Sequence, residues 1–299
     1  MTLATALAAA AGTTNIVLKE HLGYAWTNQV VSYPFAAAQG QCAAGSLRLA
    51  GPKGPQPVQL TDVVFWPGSA SVQSGRVAFL VEELQPLGTN TYSLEFADKP
   101  AEAAALSAAL SITTNAGQAE VTLPRFGVRF PLGQATYDPP ANPAEVLGPV
   151  AGLRLVDGTW FGGSRLYGPT PLTSWSARLV EAGPVVARAE SVYTYADGNT
   201  LRVITQLNAA DYAAQFDMHA AKDKPADGWE MLLATGIEIT EGVKIQGMRY
   251  LAKEVPFTVD PASNAPILYL NPWPGDGWFP DSPAALRLKV AGRNTELHL

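Results

Sequence analysis

The sequence predicts an all-β protein, with a small N-terminal β barrel or sandwich followed by a large antiparallel β-sandwich. Three observations carry this. Short alternating segments recur with turn residues between them, as in Leu153-Arg-Leu-Val-Asp-Gly-Thr-Trp160, Glu181-Ala-Gly-Pro-Val-Val-Ala-Arg-Ala-Glu190 and Tyr193-Thr-Tyr-Ala-Asp-Gly-Asn-Thr-Leu-Arg202, which is the pattern of hairpin-linked strands. Gly (27) and Pro (24) make about a sixth of the 299 residues, while charged residues are only 15%, a mixture that favours sheet and turn over surface helix. No apolar 3.6-residue period persists beyond three turns, so doubly wound and barrel α/β folds are not expected.

The elements follow in order. Residues 1–14 open with Ala, Leu and Thr and read either as the remnant of a signal peptide that lacks its positive start or as a short helix. Residues 15–98 read as the small β domain. Its strand segments are Ile16 to Leu18, Gln29 to Tyr33, Ser46 to Leu49, Val58 to Phe65, Arg76 to Leu80 and Thr91 to Phe96, with Gly51-Pro-Lys-Gly-Pro55 and Pro67-Gly-Ser69 as turns. Residues 99–109 are Ala-rich after Lys99-Pro100 and form a linker or short helix. Residues 110–299 form the large sandwich, with longer strands from Leu110 to Thr114, Ala119 to Leu123, Gly127 to Phe130, Leu153 to Leu155, Ser174 to Glu181, Val185 to Tyr195, Thr200 to Leu207 and Tyr212 to His219. Asp157-Gly158 and Asp197-Gly-Asn199 supply hairpin turns. Trp229 to Glu238, Val243 to Pro256, Ile267 to Leu270 and Leu286 to Val290 continue the pattern.

Composition narrows the function. A net charge of −6 without a Lys/Arg block excludes nucleic acid as the expected partner, because phosphate binding needs clustered cations. No run of some twenty apolar residues is present, so no membrane helix is expected. Cys42 is the only cysteine. It can form no intrachain disulfide or cysteine zinc site, and reads as a small buried thiol.

The strand pattern resembles the two N-terminal β domains of exo-type rhamnogalacturonan lyase-like proteins. The residues that carry it are His21-Leu-Gly-Tyr-Ala-Trp-Thr-Asn-Gln-Val30 with Tyr33-Pro-Phe35, then Val58-Gln-Leu-Thr-Asp62, Trp66, Ser74-Gly-Arg-Val-Ala-Phe-Leu80, Leu84-Gln-Pro-Leu-Gly88 and Tyr92-Ser-Leu94. In the second domain they are Asp157-Gly158 and Glu181-Ala-Gly-Pro-Val185. The resemblance covers about two thirds of the chain. It implies a role in breaking down pectin-like or other acidic polysaccharide, with the chemistry on a following helical toroid domain. It assigns no catalytic residue here.

Glycan chemistry asks for stacking rings, hydrogen-bonding groups and, for cleavage, paired carboxylates or a base. Asn271-Pro-Trp-Pro-Gly-Asp-Gly-Trp-Phe-Pro-Asp281 places Trp273 and Trp278 beside Asp276 and Asp281; the same residues would also serve to pack a long loop. Trp160-Phe-Gly-Gly-Ser-Arg-Leu-Tyr-Gly168 offers Trp160 and Tyr167 as rings and Arg165 as a fork for a uronate carboxylate, or is an ordinary hairpin loop. Alternation places Asp217 and His219 on one strand face, where His219 could act as a base. His21 beside Tyr24 and Trp26 is a further sugar contact, and either histidine also fits a plain surface role. The three histidines, His21, His219 and His298, are far apart, and no nucleotide or serine-hydrolase motif is present. No cofactor is expected; structural calcium would need the oxygens of Asp197-Gly-Asn199 or of Asp223 and Asp227.

The leading expectation is a secreted or periplasmic protein that binds polysaccharide or oligosaccharide through Trp160, Arg165, Tyr167, Trp273 and Trp278. It would be the accessory part of a polysaccharide lyase or glycoside hydrolase, with a missing C-terminal catalytic domain as a further partner. The alternatives are a stand-alone glycan-cleaving enzyme using Asp276, Asp281 and His219, and a structural or assembly module.

Overall fold

The computed structural model describes residues 11–100, 110–115, 117–210, 214–220, 227–232, 238–248, 251–258, 285–290 and 296–298. Among them the chain is all-β and antiparallel, with one 3-10 turn at Pro143–Glu145 and no α-helix. The strands are β1 (Ala11–Lys19), β2 (Trp26–Ala36), β3 (Arg48–Gly51), β4 (Gly54–Gln56), β5 (Val58–Phe65), β6 (Val72–Leu84), β7 (Thr89–Ala97) and β8 (Ser111–Asn115). They continue as β9 (Gln118–Thr122), β10 (Gly127–Pro131), β11 (Gly133–Ala141), β12 (Gly152–Arg154), β13 (Trp160–Phe161), β14 (Ser164–Tyr167), β15 (Leu172–Ala182) and β16 (Val186–Tyr195). The remainder are β17 (Thr200–Asn208), β18 (Gln215–Ala220), β19 (Gly228–Met231), β20 (Ile239–Met248), β21 (Leu251–Thr258), β22 (Ala285–Val290) and β23 (Glu296–His298).

Two compact units are present. The first takes the described residues up to Thr159 together with Ser164–Glu230; the second takes Trp160–Gly163 and the described residues from Met231 onward. In the second unit β20 pairs with both β21 and β22, and β22 with β23. The stretch 243–256, expected as one segment, is two strands paired from Glu241↔Thr258 to Met248↔Leu251. The intervening Arg249-Tyr250 carries none of the turn residues that flag a hairpin.

The first unit begins with two sheets, in the orders β1-β7-β3-β4 and β2-β6-β5. Alternation along β6 and β7 sends Val77, Phe79, Val81, Tyr92 and Leu94 into one core. Phe79 and Tyr92 meet with ring centroids 4.7 Å apart, and Phe35 and Phe96 edge to face at 5.2 Å. Cys42 is a free thiol buried in the same core, and burial pushes its pKa up.

A sheet of β8, β9, β10 and β12 and a larger one in the order β11-β15-β16-β17-β18 follow. Along β16 the side chains of Ala187, Ala189, Ser191, Tyr193 and Tyr195 are buried. Tyr193 and Tyr195 pack with Trp175, Ala177, Leu201 and Val203, so one face of the five-stranded sheet belongs to the interior. β11 carries Pro139 and Pro140, the residues that hid it in the sequence, and it lies at the sheet's edge, where missing N–H groups are tolerated.

One buried glutamine ties the first sheets to the large one. Gln59 of β5 accepts at Oε1 from the N–H groups of Val185 (3.1 Å) and Val186 (2.8 Å) and donates to the Val186 carbonyl at 2.9 Å. Beside it the Asp62 N–H donates to Glu181 at 3.0 Å, and Arg188 donates to the Asp62 carboxylate at 2.7 Å. Ala78, Val185 and Val186 close the apolar side of this junction. Gly183 leaves room for this arrangement: a Cβ would fall 2.3 Å from the Gln59 carboxamide, so one of the two would have to shift.

Candidate functional site

The other face of the five-stranded sheet is open and polar. Register places Gln134 and Thr136 of β11 beside Ser176 and Ser174 of β15, then Val192 and Thr194 of β16. These six side chains line a depression of about 370 Å³. Serine, threonine and glutamine supply donors and acceptors at rigid strand positions, with Val192 as the apolar floor.

Next to the depression a carboxylate is set between two cations. Glu190 of β16 is 7% exposed. Its Oε2 accepts from Nε (2.9 Å) and Nη2 (2.7 Å) of Arg178 on β15, and its Oε1 accepts from Nε of Arg202 on β17 at 2.6 Å. Burial by itself would raise the Glu190 pKa, but the hydrogen bonds and charges of Arg202 and Arg178 outweigh it and hold the carboxyl below its usual range. The arginine side chains are 72% and 48% exposed. The triad is therefore a fixed cationic surface: one charge neutralises half of two, and the outer guanidinium edges face water.

β18 completes this face. Arg202 is in register with His219 and Ile204 with Asp217, so Asp217 and His219 share one face, as alternation predicts, and both are exposed. Asp217 accepts a long 3.4 Å bond from Gln215.

The loop read as Trp160 to Gly168 contains two short strands, β13 and β14, with Gly162 and Gly163 between them. Arg165 and Tyr167 project to the same side of β14, opposite the buried Leu166. The Arg165 Nε donates to Glu230, so that guanidinium is oriented by a carboxylate. Tyr167 is 46% exposed. Trp160 is half-buried and belongs to the second unit. Trp273, Asp276, Trp278 and Asp281 lie outside the described residues, as does Asp223.

A third polar feature holds the turn with His21, Tyr24 and Trp26. Glu20 is 4% exposed; its carboxylate accepts from the N–H groups of Leu22 (2.6 Å), Gly23 (2.7 Å) and Leu87 (2.8 Å) and from the Trp26 indole (3.4 Å). Burial favours the neutral acid, but these donors win and hold the pKa at about 2. The clasp fixes Leu87 at a φ of 55°, in a turn closed by Gly88 N–H to the Gln85 carbonyl at 2.9 Å, where glycine is the usual choice. Tyr24 (66% exposed) and Trp26 (42%) thus stand at the surface on a rigid base.

Asp197 is engaged in its own hairpin turn, accepting from Asn199 N–H at 3.1 Å, and Asp227 accepts from Thr170 N–H at 2.9 Å. Among the described residues no three His, Cys, Asp or Glu side chains gather as metal ligands, and no helix is long and apolar enough to cross a membrane. No protein-family model and no curated protein matches the chain.

Sequence reasoning missed Glu20, Glu190 and the depression. A signal for the triad was present: Arg178, Glu190 and Arg202 are spaced twelve apart, on successive strands joined by hairpins, which brings equally spaced polar positions to neighbouring places on one face.

Proposed function

We propose that this chain is a glycan-binding β protein, the non-catalytic part of a polysaccharide lyase or glycoside hydrolase system acting on pectin-like or other acidic polysaccharide outside the cytoplasm. In this reading the first sheets form a small barrel-like domain and the later ones a large sandwich, the arrangement implied by the resemblance to exo-type rhamnogalacturonan lyase-like proteins. The observation that carries it is the open face of β11, β15, β16, β17 and β18, where a hydroxyl- and amide-lined depression adjoins the Arg178–Glu190–Arg202 triad. A sugar chain presents many hydroxyls and few apolar edges, so it suits a surface of fixed donors and acceptors. A uronate carboxylate would take the outer edge of a guanidinium. Tyr167 and Arg165, with Trp160, Trp273 and Trp278, are the further contacts of this reading.

The test is affinity electrophoresis of the full chain through gels containing rhamnogalacturonan, polygalacturonate or neutral galactan, with reducing ends and unsaturated uronate measured in parallel. Retardation by the acidic polymers is expected, weakened about tenfold by Arg202→Ala or by Ser176→Trp, which fills the depression. Unretarded wild type, or variants that bind like it, would sink the proposal. Turnover abolished by Asp276→Asn, Asp281→Asn or His219→Ala would instead make the chain an enzyme.

A further inference from the structure

The two edges of the five-stranded sheet differ in chemistry. β11 carries Pro139-Pro140, which removes two N–H donors and blunts that edge against pairing. β18, Gln215-Phe-Asp-Met-His-Ala220, has no proline, lysine or glycine, and among the described residues it pairs only with β17. Five of its six residues are exposed, Met218 at 53%. An unguarded row of backbone donors and acceptors is a template for another strand.

We propose that β18 pairs antiparallel with β18 of a second copy of this chain, about a two-fold axis through Met218. The sequence of the strand is self-complementary in this register. Asp217 lies opposite the partner's His219, and His219 opposite the partner's Asp217, so one acid–base contact is made twice. Met218 meets the partner's Met218 on the other face, and Phe216 meets the partner's Ala220. Moving the register by one residue breaks both contacts, because it sets side chains of opposite faces across from each other. Arg202, in register with His219 on β17, has its charge directed to Glu190, which leaves Asp217 and the partner's Asp217 as the carboxylates of the junction. A two-fold contact of this kind uses the same patch on both copies and closes on itself. It also joins the two polar faces into one continuous surface.

Five residue pairs, from Phe216 to Ala220, form a small interface, so the dimer is concentration-dependent, and sedimentation equilibrium of the full chain from about 1 µM to about 1 mM reads it. Wild type is expected to dimerise within this range. His219→Asp sets carboxylates opposite one another at two places and is expected to weaken the dimer at least about tenfold. The double variant Asp217→His/His219→Asp exchanges the partners within each pair and is expected to restore it to within about twofold. A wild type that stays monomeric throughout, a His219→Asp variant that dimerises normally, or a double variant as weak as the single one each overturns the proposal. Circular dichroism of each variant separates loss of pairing from loss of fold.

Discussion

Glu20 keeps its charge in a nearly buried position because three backbone N–H groups and an indole converge on it. Its carboxyl titrates at about 2 in the folded chain against an ordinary 4.5. A depressed folded pKa means that the charged form is the stabilising one. That contribution is present above about pH 4.5 and is lost as the pH falls through about 2. Glu20→Gln keeps one acceptor oxygen and removes the charge. It is expected to melt below wild type at pH 7, with the gap closing as the pH drops from 4.5 towards 2; thermal unfolding followed by circular dichroism checks this, and a gap independent of pH would remove the charge from the explanation. Nothing in Lys19-Glu-His21 announces this role. His21, Tyr24 and Trp26 stand out by residue type, whereas the group that positions their turn is visible only once Leu87 N–H is brought to it by the pairing of β1 with β7. Glu190 differs in that the twelve-residue spacing of its arginines is visible in the sequence, although they arrive from two other strands.

At the scale of elements, most strands were legible because period-2 alternation and Asp-Gly or Gly-Asn turns act locally. β5 has the expected bounds, Val58–Phe65, and β17 extends the expected Thr200 to Leu207 by one residue. Four strands were not read, and β4 is one of them, because its Gly54-Pro55 reads as a turn. β11 was masked by its prolines, and β13 and β14 sit in a stretch whose glycines read as loop. The junction between β5 and the β15–β16 hairpin was also invisible, since its key residue is a glutamine in an otherwise ordinary strand. Gln59→Ala strands the N–H groups of Val185 and Val186 and is expected to cost about 2–6 kcal/mol in urea unfolding, at about 1–3 kcal/mol for each unsatisfied group. Gly183→Ala drives a methyl into the Gln59 carboxamide and is expected to cost about 1–3 kcal/mol. The two are not additive: in the Gln59→Ala background the added methyl has room, so its cost should fall towards zero. Full additivity in the double-mutant cycle would show that the two sites do not touch.

The whole molecule bears on a different question, which parts unfold together. A boundary near residue 98 follows from composition, yet Gln59, Asp62 and Ala78 of the early strands bond or pack against Glu181, Val185, Val186 and Arg188 of the later ones, and both sets fall in one compact unit. Such a junction couples stabilities, because opening either side exposes buried N–H groups and apolar surface on the other. Native-state hydrogen exchange of the full chain makes this measurable. In wild type the slowest amides are expected in β6 and β16, the central strands flanked on both sides, with similar opening free energies. Removing the Gln59 tie by Gln59→Ala should lower protection in both strands by about the same factor, roughly 30- to 25,000-fold for a loss of about 2–6 kcal/mol. If protection falls only in β6 while β16 keeps its wild-type exchange, the early sheets are an independent domain attached by a weak contact. The polar face carried by β15–β17 would then hold its geometry without them. Equal losses instead make the integrity of that face a property of the entire first unit, so that a substitution as distant as Gln59 lowers the population of molecules that carry the face while leaving its geometry in each folded molecule unchanged.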